Sequence, residues 1–93
     1  MKIGLQIVGN YYRGKAEQAA LQNMQPGEPL ILQREPSNQF DPNAIRVETP
    51  SGLHLGYIPA TAASHLAMQM DQDEIENISG HYENGQVMIN DTA

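Results

Sequence analysis

The sequence predicts a mainly β fold with short helices, and three observations carry that expectation. Three short runs, 2–8, 44–49 and 53–58, place apolar residues at period two, the spacing of a half-buried strand, and three more read as strands from an apolar start or a hairpin signal. Two other stretches repeat apolar residues at helical spacing, and Pro, Gly and Asn mark the boundaries between elements. A chain of 93 residues is long enough for one modest core and too short for two, so 1–93 is read as a single domain.

The elements follow in order. Residues 2–8 read as a strand, with Ile3, Leu5 and Ile7 on one face. It delivers Tyr11 and Tyr12 at its end, and on an extended segment one ring points inward and the other outward. Gly14 breaks the pattern, and Lys15 to Met24 are helix formers with Ala16, Ala19, Ala20 and Met24 on one stripe. Gln25-Pro26-Gly27-Glu28-Pro29 stops that helix. Leu30 to Glu35 then read as a strand whose apolar start suggests burial on both faces. Ala44 to Thr49 and Leu53 to Ile58 form a hairpin around Pro50-Ser51-Gly52, with Ile45 and Val47 facing the core opposite Leu53 and Leu55. Pro59 can open a helix, and Ala60, Ala63, Leu66, Ala67 and Met70 carry it through about residue 71. The last strands, roughly 74–82 and 86–90, are joined by Asn84-Gly85, a strong two-residue hairpin signal.

Composition narrows the function classes. With no cysteine there is no disulfide framework and no thiolate site, which fits a reducing cytoplasm. The N-terminal run alternates instead of forming a signal peptide, and no apolar segment is long enough to span a bilayer, so no membrane role is expected. The formal net charge of −6 argues against a broad basic nucleic-acid surface. Its distribution is uneven. All the cations (Lys2, Arg13, Lys15, Arg34, Arg46) precede residue 51, whereas Asp71, Asp73, Glu74, Glu76, Glu83 and Asp91 follow with no Lys or Arg among them. Any nucleic acid should therefore meet the first half, held more by stacking and end recognition than by charge.

The most informative stretch is Glu35-Pro36-Ser37-Asn38-Gln39-Phe40-Asp41-Pro42-Asn43-Ala44-Ile45-Arg46-Val47. Two prolines lack amide donors and bias Glu35 and Asp41 toward extended geometry, which makes this a shaped loop running into a strand. The pattern E-P-x-N-x-[YF]-D-x-N-A-[IV]-x-V resembles the HIRAN domain family. Val8-Gly9-Asn10-Tyr11-Tyr12-Arg13-Gly14 upstream and Leu55-Gly56-Tyr57-Ile58-Pro59 downstream are similar to flanking elements of that family, so the likeness covers roughly residues 3–70 in order. The resemblance implies an OB-like six-stranded barrel, with the second helix as its plug. It also implies binding of single-stranded DNA at a free 3′-hydroxyl end.

Carried onto this sequence, the family's pattern makes Phe40 a stacking platform for the terminal base and Asp41 the acceptor for the 3′-hydroxyl. It makes Tyr11 a base or backbone contact, with Asn38 and Tyr57 lining the pocket; Tyr12 and Arg13 complete the expected DNA-binding set. The physics agrees, because a ring offers any base a π-face worth roughly 1–3 kcal/mol. A carboxylate repels an internal phosphate but accepts well from a free hydroxyl. Structural alternatives stand beside each role: Phe40 as a cap on the core, Asp41 as an Asx-turn, Asn38 and Asn43 as turn residues, Tyr57 packed with Leu53 and Leu55. Arg46 reads as a solvated sheet cation. Three departures weaken the match: Asn10 replaces an arginine, Gln39 a proline, and Pro59-Ala60 lacks a lysine that some members carry. Arg13 or Lys15 is the candidate for compensation.

Catalysis has little support. His54, His65 and His81 lack metal-ligand spacing, and Glu35, Asp41 and Glu48 are poorly placed to hold Mg²⁺. No cofactor is expected, and any helicase or nuclease chemistry would come from a partner in trans. The competing reading is a protein-interaction or assembly module, such as a homo-oligomer, whose acidic second half is the contact surface and whose DNA pocket is degenerate.

Overall fold

The computed structural model describes residues 2–90; Met1 of the N-terminal run and Asp91 of the C-terminal acids lie outside them. The order is β1 (Lys2–Gln6), one 3-10 turn (Asn10–Tyr12), α1 (Lys15–Gln22), β2 (Pro29–Arg34), β3 (Ile45–Glu48), β4 (His54–Tyr57), α2 (Ala60–Gln72), β5 (Asn77–Glu83) and β6 (Gln86–Asn90). The strands form one antiparallel sheet in the order β1-β6-β5-β2-β3-β4. Its two ends meet at a single bridge. Val8 N–H donates to Tyr57 O at 2.8 Å, and Tyr57 N–H returns the bond to Val8 O at 2.9 Å. The sheet is thus curled into an OB-like half-barrel, as expected.

Alternation places Leu30 and Leu32 of β2, Ile45 and Val47 of β3, Leu55 of β4, and Val87 and Ile89 of β6 in one core. Ala63, Ala67 and Met70 turn the inner face of α2 into the same core. The Asn84-Gly85 hairpin is as expected, with both residues at positive φ (51° and 82°), the geometry that matches strand twist. No helix among the described residues is long and apolar enough to cross a membrane.

Several local expectations are corrected. β1 stops at Gln6, and the chain leaves it through Gly9 at φ 78° into the 3-10 turn. Tyr11 and Tyr12 are therefore not on an extended segment, and both rings point outward, 70 % and 78 % exposed. The inner stripe of α1 is Ala20 and Leu21, followed just past the helix end by buried Met24, with Ala16 and Ala19 in solvent. Gln18 Nε2 donates to the carbonyls of Tyr11 (3.0 Å) and Arg13 (2.8 Å), which turns that side of the helix inward. β2 is fully buried on only one face, that of Leu30, Leu32 and Arg34. β5 begins at Asn77, because Glu74 takes a left-handed φ of 57° and Ile75 N–H closes the end of α2 on Met70 O at 2.8 Å.

Arg34 ends the buried face of β2 at 8 % exposure, and its guanidinium ties three distant segments together. Nε and Nη2 grip the two carboxylate oxygens of Asp71, at the C-terminal end of α2, at 3.0 Å each. Nη1 donates to the carbonyls of Pro42 and Ala44, also at 3.0 Å each, at the base of the 35–44 loop. The hydrogen bonds from Arg34 hold the Asp71 carboxyl below its usual range, partial desolvation opposes this, and the guanidinium charge adds to the lowering.

Three expectations follow. A Cβ on Gly56 would lie 2.5 Å from Val8 O, at the closure itself, so Gly56→Ala should cost about 1–3 kcal/mol in urea unfolding. Arg34→Met keeps much of the volume but orphans two loop carbonyls, and the same assay should show a loss of about 2–3 kcal/mol. Because the Asp71 pKa is lowered on folding, its contribution is complete above the unfolded value of 3.8 and disappears as pH falls through the lower folded value. Urea midpoints between pH 7 and 2.5 should accordingly fall less steeply below pH 4 in Asp71→Asn than in the parent chain.

Candidate nucleic-acid interface

The 35–44 loop is built by its own polar side chains. Glu35 N–H donates to Ala44 O at 2.9 Å, Asn38 N–H to Glu35 O at 3.0 Å, and Ala44 N–H to Asp41 O at 3.0 Å. Asn38 Oδ1 accepts the N–H groups of Phe40 (2.9 Å) and Asp41 (3.0 Å). Asp41 Oδ1 accepts from Asn43 N–H at 2.9 Å. Asn38 and Asp41 are thus both turn-forming residues, as the structural alternative held for each. The turn projects Phe40 outward at 90 % exposure, so this ring does not cap the core. Among the described residues, no protein donor reaches Asp41 Oδ2.

The second wall comes from β4, through a bulge. Glu48 faces His54 while Val47 faces Gly56 and Arg46 faces Tyr57, so β4 carries one extra residue at this point. Without the bulge, His54 and Tyr57, three residues apart, would lie on opposite faces. With it they share the outer face, their rings edge-on with centroids 4.8 Å apart. Tyr57 is therefore not packed with Leu53 and Leu55. Its hydroxyl donates to Glu35 Oε1 at 3.0 Å, and Asn38 Nδ2 donates to the same oxygen at 3.0 Å. Arg46 is not simply a solvated cation either: it lies 3.5 Å from Glu35 Oε2 and 3.1 Å from Glu48 Oε2.

This network sets the protonation states. Partial burial alone would raise the Glu35 carboxyl, but hydrogen bonds from Asn38 and Tyr57, then the charges of His54 and Arg46, bring it below its usual value. Burial, the bond to Glu35 and the Glu35 charge push the Tyr57 phenol up. Burial and then the Arg13 charge pull the His54 imidazole down from its ordinary value, against the Glu35 charge and the bond to Gly56 O, which raise it.

Asn38, Phe40, Asp41, Ala44, Tyr57, Ile58 and Ala60 enclose an open cleft of about 340 Å³. The structure thus brings together Asn38, Phe40, Asp41 and Tyr57 of the expected set. Tyr11 and Tyr12 do not line this cleft; they lean on each other with ring centroids 4.1 Å apart and hydroxyls 2.9 Å apart. Arg13 does not line the cleft either; its Nε donates to His54 O at 3.1 Å. Asn10, where the resemblance leads one to expect arginine, spends its amide on Leu55 O at 2.7 Å. Arg34 is the residue that sequence reasoning passed over, and Glu35 was weighed there only as a poorly placed Mg²⁺ ligand. The available signal was a cation in phase with Leu30 and Leu32, immediately before the loop. Among the described residues no three His, Asp or Glu side chains form a metal-binding group.

Comparisons with known proteins agree with this geometry. The HIRAN domain profile matches residues 2–89. The helicase-like transcription factor of Oryctolagus cuniculus is 42% identical over 53 residues, 57% of this chain and 5% of that protein. The Mus musculus protein of the same name is 37% identical over 67 residues, 71% of this chain and 6% of its own length. The chain therefore spans only about one-twentieth of these relatives. A crystal structure of a protein from Lactobacillus plantarum superposes with a TM-score of 0.71 at 29% identity, covering 95% of this chain and 90% of the other. The HIRAN domain of human HLTF gives a TM-score of 0.63 at 22% identity over 94% of this chain and 74% of that one, a likeness of fold. The sequence match over nearly all of the chain, together with the curled sheet and its loop-walled cleft, makes this protein a member of the HIRAN domain family, a family of nucleic-acid-binding modules.

Proposed function

We propose that this HIRAN domain binds single-stranded DNA at a free 3′-hydroxyl end, with the last nucleotide in the cleft between the 35–44 loop and β4. The observation that carries the reading is the exposed Phe40 ring standing beside Asp41 at the cleft. Phe40 would stack on the terminal base, since a ring accepts any base face. Asp41 keeps one carboxylate oxygen for the loop and has the other for a ligand. A carboxylate repels a phosphate and accepts from a hydroxyl, so its presence favours an end over an internal position. At about 340 Å³ the cleft is at the small end of ligand sites, roughly 300–1,000 Å³, a size suited to one terminal nucleotide. Tyr11, Tyr12 and Arg13 would contact the strand leading away from the end, and Asn38 and Tyr57 would line the terminal pocket. No catalytic role is proposed; a helicase or nuclease would act in trans on the strand held here.

Fluorescence anisotropy with a short labelled oligonucleotide tests this reading. A 3′-phosphate should weaken binding at least about tenfold, Asp41→Ala should cost about 1.5–3 kcal/mol, and Phe40→Ala about 1–3 kcal/mol. Equal affinity for free and blocked ends would reject end capture. If no oligonucleotide binds at low salt and light scattering finds an oligomer that buries Tyr11 and Phe40, the protein-interaction reading takes its place.

A further inference from the structure

Two cleft residues meet on one oxygen of Glu35. Oε1 accepts from Asn38 Nδ2 and from Tyr57 Oη at 3.0 Å each, one from the loop and one from β4. Oε2 is held by Arg46 at 3.5 Å, and the backbone N–H of Glu35 is bonded to Ala44 O. A carboxylate in this setting only accepts, so the Tyr57 hydroxyl must spend its hydrogen on it. Toward anything else, the Tyr57 oxygen is then an acceptor. The Asn38 amide is oriented in the same way, because Oδ1 faces two backbone N–H groups and Nδ2 faces the carboxylate. The side-chain atoms offered to a ligand are therefore mostly acceptors, Asp41 Oδ2 and Tyr57 Oη, with the second Asn38 amide hydrogen as a donor; the backbone N–H of Ala60, at the start of α2 where no side chain caps the helix, is a further donor at the cleft.

We propose that Glu35 is the positioning residue that sets this polarity, and through it the preference of the cleft for a strand end carrying a hydroxyl over one carrying a phosphate. The proposal rests on the end-binding function above. A hydroxyl supplies a donor to Asp41 Oδ2 and Tyr57 Oη, whereas a phosphate sets further acceptor oxygens and a negative charge against these two atoms. Glu35→Gln keeps the shape but puts an amide where the carboxylate was. An amide can donate to the Tyr57 oxygen, which frees the phenol to point its own hydrogen at the ligand.

The test is the ratio of affinities for a 3′-hydroxyl and a 3′-phosphate oligonucleotide, measured on the parent chain, Glu35→Gln and Tyr57→Phe. The parent should prefer the hydroxyl, and each variant should shrink that ratio about five- to tenfold. Should Glu35→Gln fold poorly, Tyr57→Phe still removes the acceptor while keeping the ring against His54. A ratio unchanged in both variants, even with weaker binding overall, would mean that Glu35 only supports the loop and would overturn this inference alone. No preference in the parent chain would overturn the inference and the end-binding function together. A ligand-free measurement separates the hub from its use: in ¹³C-tyrosine spectra, the Tyr57 phenol should titrate at lower pH in Glu35→Gln than in the parent. An unmoved titration would also overturn the proposal.

Discussion

The bidentate clamp between Arg34 and Asp71, with its two further bonds to loop carbonyls, is the interaction on which the site depends. Four of the five guanidinium donors are spent on the protein, in directions that reach the end of β2, the end of α2 and the base of the loop. Lysine cannot substitute, because a point charge has no planar fork to divide among a carboxylate and two carbonyls. The arrangement also limits its own desolvation cost. The Arg34 side chain is buried, but that of Asp71 is 58% exposed, so the charge is neutralised at the water boundary and not deep in the core. The loop is consequently fixed where it leaves for β3, while its tip at Phe40 stands free of the core.

A second constraint orients the opposite wall. β4 is the last strand of the sheet, and an unpaired edge is a hazard that proteins cover. Here the chain leaving β1 covers it: Val8 N–H, Asn10 Nδ2 and Arg13 Nε reach the carbonyls of Tyr57, Leu55 and His54. Closure of the half-barrel and capping of the edge are thus one event, and Gly56 is the residue that lets the backbones approach. The bulge in the same strand then moves Tyr57 onto the loop side. Asn10 has become part of this closure, which explains why a shorter amide can occupy a position where the family resemblance leads one to expect arginine.

What could be read from the sequence was whatever local chemistry decides. Alternation located β1, β3 and β4, an apolar run β2, Asn84-Gly85 the hairpin of β5 and β6, Pro59 the start of α2, and the proline-bounded loop the cluster of Asn38, Phe40 and Asp41. Contacts between distant segments decided the rest. Tyr57 reads by simple alternation as a neighbour of Leu55 on one face, and only the register between β3 and β4 reveals the extra residue that turns it around. Tyr11 and Tyr12 read as extended because nothing in their own identities announces a 3-10 turn; Gly9 at positive φ and the pull of Asn10 toward β4 produce it. Arg34 was legible only as one of the cations of the first half, since its partners lie 8, 10 and 37 residues away.

The placement of charge bears on what kind of nucleic-acid module this is. Arg34 is committed to Asp71, and Arg46 to Glu35 and Glu48. Among the residues whose side chains are described, Arg13 and Lys15 are the cations outside ion pairs, and Arg13 already gives its Nε to His54 O. A protein that tracks along an internal strand gains its affinity by releasing counterions at several phosphates, and this surface has too few unpaired cations for that. In the proposed binding mode, stacking on Phe40 and hydrogen bonding at Asp41 would act over one nucleotide and lose little to salt. A carboxylate at such a site penalises every position along a strand where a phosphate would have to pass, but it does not penalise the terminus, where the sugar carries a hydroxyl instead. A scarcity of free positive charge and a carboxylate at the cleft are therefore compatible with nucleic-acid binding, provided that the ligand is an end.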